Sequence, residues 1–351
     1  MSEALIIAGP CAAESREQLL QTATQLADAG VGVFRAGVWK PRTEPDAFEG
    51  VGEEALSWLA EAQQLTSIPA ATEVATPEHV RLALKHGIRI LWLGARTTTN
   101  PFLVQQIADS LTQEANTLTV LVKNPVSPDL KLWKGAIERI RKAGVKQIYA
   151  VHRGFQTGQP SPYRNAPVWS VPFALKLAVP DIPLILDPSH MSGDAALVPD
   201  LSRKAMTLGY DGLMIEAHCN PQAAKSDNKQ QLTTDQLKQL ISSLPCRKSS
   251  SSSKMENVTE KQTETYDTLS LLRQQLDETD DTLFLLLLQR MQISKQIGVF
   301  KRQHNLPVLQ EKRYAELLAK RLAWAEQHEL DEEIIRRILD AIHEESCRWQ
   351  L

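Results

Sequence analysis

The sequence lacks an excess of positive charge and lacks a long hydrophobic run. Its 39 Lys and Arg residues are balanced by 42 Asp and Glu residues, and the formal net charge is -3. A chain of this kind offers no basic field to hold nucleic acid. No stretch approaches the roughly 18 consecutive apolar residues that a membrane helix needs. We therefore expect small molecules or a second copy of the chain as partners, with no nucleic acid and no membrane.

Cysteines are few and show no paired spacing. The four positions are Cys11, Cys219, Cys246 and Cys347, a pattern typical of a reducing compartment with thiols that are free or metal-bound. The apolar start at residues 4–8 has no basic residue before it and ends at Gly9-Pro10, unlike a secretory signal peptide. These features predict a cytoplasmic protein.

A run of five serines between Cys246 and Lys254 divides the chain. Because serines have nothing to bury, the run is typical of a flexible linker, and the alternative is a long surface loop within one domain. The pattern of apolar residues differs on the two sides, which favours the linker. We predict a barrel domain over 1–245, a linker over 246–264 and a helical domain over 265–351.

Before the linker, short apolar runs alternate with segments of helical period. The runs are Leu5–Ala8, Val31–Arg35, Ala70–Glu73, Ile90–Leu93, Leu118–Val122, Ile148–Val151, Leu184–Leu186 and Leu213–Ile215. The helical candidates include Arg16–Ala29, Pro77–His86, Pro101–Thr112, Asp129–Ala143 and Thr234–Leu244. Eight strand–helix units over some 245 residues predict an α/β fold of the TIM (β/α)8 barrel type. A doubly wound open sheet is the alternative, but no Gly-x-Gly-x-x-Gly follows the first strand.

After the linker the pattern is all helical. Apolar residues from Leu269 to Phe300 recur mostly at steps of three and four, which predicts one helix of about 36 residues. A second helix is predicted over Gln310–His328 and a third after an Asp331 cap. A domain this small cannot cover so long a first helix alone, so we expect a homodimer through this domain.

Reactive or charged residues follow each predicted strand of the barrel. They are Cys11, Arg35 with Lys40, Glu73, Arg96, Lys123, Arg153, Asp187 with His190, and Glu216. Any one of them alone is explained as a solvated residue after a strand. That explanation does not account for such a residue after all eight strands. Barrel enzymes carry their chemistry at this end of the strands, and the five cations suit a substrate with phosphate and carboxylate groups.

A second set, Cys11, His190, Glu216 and Asp227, combines a thiol, an imidazole and two carboxylates. Closing the barrel makes strand eight the neighbour of strand one, which brings this set to one part of the mouth. Taken singly, Cys11 is better explained as a small buried residue and His190 as a hydrogen-bonded loop histidine. Together they predict a divalent metal site for manganese, iron, cobalt or zinc.

These residues lie in motifs that resemble the 3-deoxy-D-arabino-heptulosonate 7-phosphate (DAHP) synthases, in the short type I form. The motifs are Ile7-Ala-Gly-Pro-Cys11, Lys40-Pro-Arg-Thr43, Gly94-Ala-Arg96, Arg153-Gly154, Asp187-Pro-Ser-His190, Glu216-Ala-His218, and Ser226-Asp227 with Gln230-Gln231-Leu232. The resemblance implies condensation of phosphoenolpyruvate with erythrose 4-phosphate. The Lys-Pro-Arg-Thr motif separates the chain from the related octulosonate synthases, which use arabinose 5-phosphate and remain the rival for the barrel. His152 and Asn124-Pro125 depart from the family's pattern.

The resemblance also implies residue roles. Cys11, His190, Glu216 and Asp227 would hold the metal. Phosphoenolpyruvate would be bound by Arg35, Lys40, Arg96, Lys123 and Arg153. Erythrose 4-phosphate would be bound by Lys40, Arg42, Thr43 and Asp187. Glu73, Lys123 and Asp187 are the implied catalytic residues, with Glu73 and Lys123 handling the proton of the attacking water.

Residues 265–351 resemble the all-helical chorismate mutases. The matching positions are Arg273, Arg290, Lys301, Arg313, Ser346 and Gln350, with Lys301 and Gln350 as the implied catalytic pair. The spacing of Arg290 and Lys301 is close to three whole helical turns, so they share a face, whereas Arg273 points elsewhere and should serve a partner's site. The alternative for such a helix is a solvated basic face.

Gln310 and Tyr314 depart from the mutase pattern. The helical domain is therefore expected either to rearrange chorismate to prephenate, or to act only as a dimerisation and ligand-sensing module. In both cases prephenate or chorismate is the expected feedback inhibitor of the barrel.

Overall fold

The computed structural model describes residues 4–40, 48–158, 161–244, 276, 280, 283–284, 286–288, 290–308 and 311–350. The chain separates into two compact units, Met1–Ser250 and Ser251–Leu351. The predicted linker and the predicted site residues Arg42, Thr43 and Arg273, together with Gln310, lie outside the described residues. Among the described residues, no helix has the length and apolarity required to span a bilayer.

The first unit is a closed barrel of eight parallel strands, which confirms the predicted TIM fold. Strands β1 to β8 are Leu5–Gly9, Val33–Arg35, Ala70–Glu73, Ile90–Leu93, Thr119–Lys123, Gln147–His152, Leu184–Leu186 and Gly212–His218. Each strand pairs with the next, and β1 pairs with β8, where Gly9 lies opposite Glu216. Strand β8 is longer than predicted because Ala217 and His218 pair with a further strand, β9 (Leu232–Thr233).

Helices cover the outside of the barrel. Helices α1 to α10 are Arg16–Leu26, Glu53–Thr66, Pro77–Lys85, Ala95–Thr98, Pro101–Leu111, Leu130–Lys142, Ser170–Ala178, Pro188–Ser192, Val198–Thr207 and Thr234–Ser243. Polar side chains cap several of them at the N-terminus: the Asp129 carboxylate, for example, accepts from the backbone N–H of Leu132 at 3.0 Å. The single turn α8 was not predicted, and it is the segment that carries His190.

The barrel interior contains an apolar layer to which every strand contributes one residue. These residues are Ile7, Val33, Ala71, Trp92, Leu121, Val151, Ile185 and Met214. Side chains of a strand alternate between faces, so the residue two positions further along each strand points the same way, one layer closer to the mouth. Those residues are Gly9, Arg35, Glu73, Gly94, Lys123, Arg153, Asp187 and Glu216. The strand period therefore places the polar layer directly above the apolar floor.

The second unit is helical in its described part, as predicted. The described residues 276, 280, 283–284, 286–288 and 290–303 are helical, and this segment is called helix α11. It is followed by α12 (Glu311–Gln327) and α13 (Glu332–Gln350). The predicted cap is present, because the Asp331 carboxylate accepts from the backbone N–H of Ile334 at 2.8 Å. Helices α11 and α13 approach closely at Gly298, where a Cβ atom would lie 2.5 Å from the backbone oxygen of Gln350.

Candidate active site

A cavity of about 270 Å³ opens at the C-terminal ends of the strands. Five cationic side chains and three acid or imidazole side chains line it: Lys40, Arg96, Lys123, Arg153 and Arg164, with Glu73, His190 and Asp227. The sequence predicted all of these except Arg164. So many cations in one small cavity fit a ligand that carries several negative charges.

Arg35 lies beneath this cavity and is 1% exposed. Its Nη2 donates to Glu216 Oε1 at 3.1 Å, and its guanidinium carbon lies 4.9 Å from the centroid of the Trp92 ring. Within the described part of the chain, its Nε and Nη1 atoms are buried without a hydrogen-bond partner. Buried donors of this kind require a partner, and an anionic ligand or a water would supply one.

Lys123, Asp187 and His190 are linked by close polar contacts; the first two side chains are buried and His190 is half-buried. Lys123 Nζ lies 2.9 Å from Asp187 Oδ2, and His190 Nδ1 lies 2.9 Å from the same oxygen. Burial alone would raise the pKa of Asp187, but His190 and Lys123 hold that pKa well below its usual range. Asp187 also begins α8, because its Oδ1 accepts from the backbone N–H of His190 at 3.0 Å. The carboxylate therefore orients His190 and keeps it from turning.

Glu73 is held by the indole of the residue beneath it. Trp92 Nε1 donates to Glu73 Oε2 at 3.0 Å, and the same ring lies 5.8 Å from Lys123 Nζ. On the other side, a Cβ atom at Gly94 would lie 2.2 Å from Glu73 Oε1. The carboxylate thus occupies the space that the glycine leaves free. The sequence did not identify Trp92, because a single indole in a strand is typical of core packing.

Three of the four predicted metal-binding residues meet closely. The ligand atoms of Cys11, Glu216 and Asp227 all lie within 4.8 Å of one another. Cys11 Sγ lies 3.2 Å from Asp227 Oδ2, and His190 Nε2 lies 3.6 Å from Glu216 Oε1. The donor set of one sulfur, one imidazole nitrogen and two carboxylates fits a borderline divalent ion.

The protonation state of the Cys11 thiol depends on whether a metal cation is bound beside it. Burial, followed by the charge of Glu216, raises the pKa of the Cys11 thiol to about 12. Lys40 Nζ donates to Cys11 Sγ at 2.8 Å, a contact that favours the thiolate. Although burial disfavours the charge of Lys40, the acidic groups around it, Cys11 and Glu216 first, raise its pKa. A bound metal cation would favour the thiolate of Cys11 over the thiol, since metal binding displaces the proton.

Two glutamines contact the predicted metal-binding residues. Gln231 Oε1 accepts from the backbone N–H of Cys11 at 2.9 Å, and Gln230 Nε2 donates to Glu216 Oε2 at 2.7 Å. Both side chains are buried. The sequence placed them in a family motif without a role, and the contacts supply one: they orient two of the predicted ligands.

Arg153 lies at the wall of the cavity beside Asn165. Burial lowers the pKa of Arg153 to about 10. Its Nη1 donates to Asn165 Oδ1 at 2.8 Å, and its backbone N–H donates to Asn124 Oδ1 at 2.7 Å. Asn124, one of the positions that departs from the family pattern, therefore supports the arginine from below. Asn165 was missed by sequence reasoning because it lies in a loop without a periodic pattern.

In the second unit, the structure brings together four of the predicted site residues. Lys301 Nζ donates to Gln350 Oε1 at 2.8 Å, and both side chains are buried. Arg290 donates to the hydroxyl of Ser346, and burial lowers the pKa of Arg290. The two pairs join α11 to α13.

The other predicted residues of this unit lie apart from those pairs. Arg313 is exposed, with its Nη1 atom 3.7 Å from Glu316 Oε2. Tyr314, the other departure from the mutase pattern, donates its hydroxyl to Asp340 and stacks on His343 with ring centroids 4.1 Å apart. The tyrosine thus fixes α12 against α13.

Comparison with known proteins identifies both units. A model of the DAHP synthetase I family matches residues 2–248, and a model of chorismate mutase type II matches residues 272–351. A phospho-2-dehydro-3-deoxyheptonate aldolase of Thermotoga maritima is 34% identical over 236 residues, which is 67% of each chain. A 2-dehydro-3-deoxyphosphooctonate aldolase of Desulfatibacillum aliphaticivorans is 29% identical over 262 residues, covering 68% of this chain and 90% of that one.

A solved structure supports the same assignment. The crystal structure of a Thermotoga maritima DAHP synthase superimposes with a TM-score of 0.61 at 31% identity, covering 69% of this chain and 68% of that chain. These matches confirm the resemblance inferred from the motifs. The chain therefore belongs to the DAHP synthetase I family and carries a chorismate mutase type II domain after its barrel.

Proposed function

We propose that the barrel condenses phosphoenolpyruvate with erythrose 4-phosphate, giving DAHP and phosphate, and that the helical unit rearranges chorismate to prephenate. These are steps of aromatic amino acid biosynthesis. The observation that carries the first activity is a cation-lined cavity of about 270 Å³ next to a Cys–Glu–Asp donor group. Two anionic substrates repel each other in water, and such a cavity holds them together in one orientation.

Phosphoenolpyruvate fits the cationic side chains that lie deepest in the barrel site. Arg35 lies beneath the cavity, and within the described residues its Nε and Nη1 atoms have no hydrogen-bond partner. Lys123, Arg96 and Arg153 line the cavity itself. Arginine forks bind phosphate and carboxylate oxygens in pairs. These residues hold the enol with its C3 carbon facing the metal-binding group.

Erythrose 4-phosphate enters above it, with its aldehyde towards Cys11, His190, Glu216 and Asp227. A divalent ion held by these four residues supplies Lewis-acid polarisation of the aldehyde carbonyl. Lys40 Nζ lies 4.0 Å from Asp227 Oδ2. It is therefore placed to assist at the oxygen of the aldehyde carbonyl. Arg42 and Thr43 follow Lys40 in sequence and are proposed to bind the aldehyde's phosphate. Asp187, bound to His190 and Lys123, is proposed to position the imidazole.

Bond formation joins C3 of phosphoenolpyruvate to the aldehyde carbon. Water then adds to C2, and the bond from C2 to the phosphate oxygen breaks. Glu73 accepts the proton of that water, since it lies in the cavity wall with one oxygen fixed by Trp92. Glu73 passes this proton to the oxygen of the former aldehyde carbonyl, which became an alkoxide when C3 attacked. Lys123 donates a proton to the departing phosphate and regains one from the C2 hydroxyl as that group becomes the carbonyl.

The helical unit acts without a covalent intermediate. Arg290 is placed to bind a carboxylate of chorismate, and Lys301 with Gln350 is placed to donate to the ether oxygen, where charge develops as the C–O bond breaks. A proposed homodimer places Arg273 of one chain in the site of the other. Exposed apolar residues on α11, Ile293, Ile297 and Phe300, supply a surface for that contact.

One assay tests both activities. The full chain is given phosphoenolpyruvate and erythrose 4-phosphate, and separately chorismate. We expect heptulosonate phosphate with Mn²⁺ present, and prephenate with or without metal. Arabinose 5-phosphate in place of erythrose 4-phosphate should give at most a small fraction of the rate. A preference for arabinose 5-phosphate would make the barrel an octulosonate synthase, and binding of chorismate without turnover would make the helical unit a sensor.

We further propose that prephenate bound to the helical unit inhibits the barrel. Fusion of an early reaction to a later one gives the later product a site on the same chain. We expect saturating prephenate to lower the synthase rate of the full chain several-fold, and Lys301→Ala to weaken this inhibition. A synthase rate that is unchanged by prephenate would disprove the regulation and leave both activities in place.

A further inference from the structure

Two neighbouring residues of the loop between β6 and α7, Arg164 and Asn165, contact both halves of the barrel site. Asn165 is 1% exposed; its Oδ1 accepts from Arg153 at 2.8 Å, and its Nδ2 donates to the backbone oxygen of His190 at 2.7 Å. Arg164 Nη1 lies 3.0 Å from Asp227 Oδ1. The pair thus joins an arginine proposed for phosphoenolpyruvate to two residues proposed for the metal.

The backbone of the pair is bound to the same segment as its side chains. The N–H of Arg164 donates to the oxygen of Ser192 at 3.0 Å, and the N–H of Asn165 donates to the oxygen of Met191 at 3.0 Å. Both acceptors belong to α8, the turn that carries His190. A shift of the loop would therefore move the turn with it.

Two glycines allow this close approach. A Cβ atom at Gly154, the residue after Arg153, would lie 2.5 Å from the backbone oxygen of Asn165 and 2.8 Å from its Cβ. A Cβ atom at Gly193, which ends α8, would lie 2.6 Å from the Cβ of Arg164. Both glycines have positive φ, a conformation that side chains rarely adopt. The loop is therefore packed against Gly154, which follows Arg153, and against Gly193, which ends α8. Neither position has room for a side chain.

We propose that Arg164 and Asn165 form a positioning element that couples phosphoenolpyruvate binding to metal binding. This inference rests on the proposed function of the barrel. A ligand that immobilises Arg153 also fixes Asn165 and, through it, the His190 turn, so the metal meets a site that is already ordered. Linkage requires the reverse as well: the metal strengthens phosphoenolpyruvate binding by the same factor.

The test measures two affinities on the full chain by titration calorimetry. The affinity for Mn²⁺ is measured with and without saturating phosphoenolpyruvate, and the affinity for phosphoenolpyruvate with Mn²⁺ and with chelator. In the unmodified chain we expect each ligand to tighten the other by at least about fivefold. In Asn165→Ala the coupling factor falls to within about twofold of one.

Arg164 supplies a second and separate arm. Arg164→Met should weaken Mn²⁺ binding by roughly tenfold, because Asp227 loses the contact that orients it. Arg164→Lys keeps the charge and should restore most of the Mn²⁺ affinity. Arg141→Met is the matched control: it breaks an exposed arginine–aspartate pair of the same length, 3.0 Å to Asp181, on the outside of the barrel, and should change neither affinity.

Unchanged coupling in a folded Asn165→Ala variant, or no coupling in the unmodified chain, overturns the inference. If Asn165→Ala does not fold, as judged by circular dichroism, the Arg164 arm decides: Mn²⁺ affinity in Arg164→Met equal to that of the unmodified chain overturns it. Failure of the proposed function is a different result, because the unmodified chain would then form no heptulosonate phosphate.

Discussion

At the scale of single residues, the chemistry of the barrel depends on what lies directly beneath each charged group. Trp92 belongs to the apolar floor, yet its N–H holds Glu73 and its ring supports Arg35 and Lys123. Glu73, Arg35 and Lys123 were predicted from sequence because each stands at, or directly after, the end of a predicted strand. The role of Trp92 was not predictable, because it depends on which way the indole turns.

Gly94→Ala tests the placement of Glu73. The new methyl group would meet Glu73 Oε1, the mobile end of a side chain, so the carboxylate should move and stability should change little. Loss of the placed base predicts a fall in synthase kcat on the order of 10²-fold. Steady-state kinetics provides the measurement, with Gly135→Ala as control, since a Cβ there meets nothing within 4 Å. A normal kcat in Gly94→Ala would remove Glu73 from the reaction.

His152 shows why one departure from the family pattern is compatible with the site. It is fully buried, donates from Nε2 to the oxygen of Pro167 at 2.6 Å, and accepts at Nδ1 from the hydroxyl of Tyr210 at 2.8 Å. A neutral imidazole satisfies both contacts. Burial lowers the pKa of His152 from 6.5 to about 3. The histidine therefore acts in the structure of the loop as an uncharged group.

This lowered pKa predicts a pH dependence of stability. Between pH 6.5 and about 3 the unfolded chain binds a proton at His152 that the folded chain does not, so the free energy of unfolding falls as the pH falls. The histidine contributes up to ~1.4 kcal/mol per pH unit in this window. Denaturant unfolding of the unmodified chain and of His152→Gln measures it: the variant should show the shallower slope. Parallel slopes would mean that His152 is protonated in the folded protein.

At the scale of elements, the sequence predicted strands and helices well where periodicity is strong, and poorly in the loops that carry function. Helix α12 begins and ends within one residue of its predicted bounds, and β3, β4 and β7 match theirs. The turn α8 and the Arg164-Asn165 pair were missed because their positions depend on glycine contacts between distant segments. Such contacts have no signature within a window of neighbouring residues.

The approach of α11 to α13 gives a test at this scale. Gly298→Ala places a methyl group against the backbone of Gln350, which cannot turn aside as a side chain can. We expect the helices to separate, at a cost of about 1–3 kcal/mol in the helical unit, and the contact of Lys301 with Gln350 to be lost. Mutase kcat/KM should fall at least about tenfold while synthase kcat is retained. Equal loss of both activities would point to global unfolding instead.

At the scale of the whole molecule, two reactions with different physical requirements occur on one chain. In the proposed mechanisms, the barrel uses a divalent cation next to a cluster of cationic side chains that bind the anions, and the helical unit uses only fixed hydrogen-bond donors. The sequence predicted this division from the serine run and the change of period. The DAHP synthetase I model and the chorismate mutase type II model match separate stretches of the chain, which confirms the two predicted families. The long distances along the chain between Cys11, His190 and Asp227 meant that only the closure of β8 onto β1 could bring them together.

The most direct measurement follows both reaction rates in one sample of the full chain, before chelation, after chelation and after Mn²⁺ is added back. We predict that chelation abolishes heptulosonate phosphate formation, that Mn²⁺ restores it, and that prephenate formation stays constant throughout. The same treatment of Cys11→Ala should show no restored synthase activity at the Mn²⁺ concentration that restores the unmodified chain. A synthase rate that persists in chelator, or that Cys11→Ala recovers in full, would contradict a metal site built from Cys11, His190, Glu216 and Asp227.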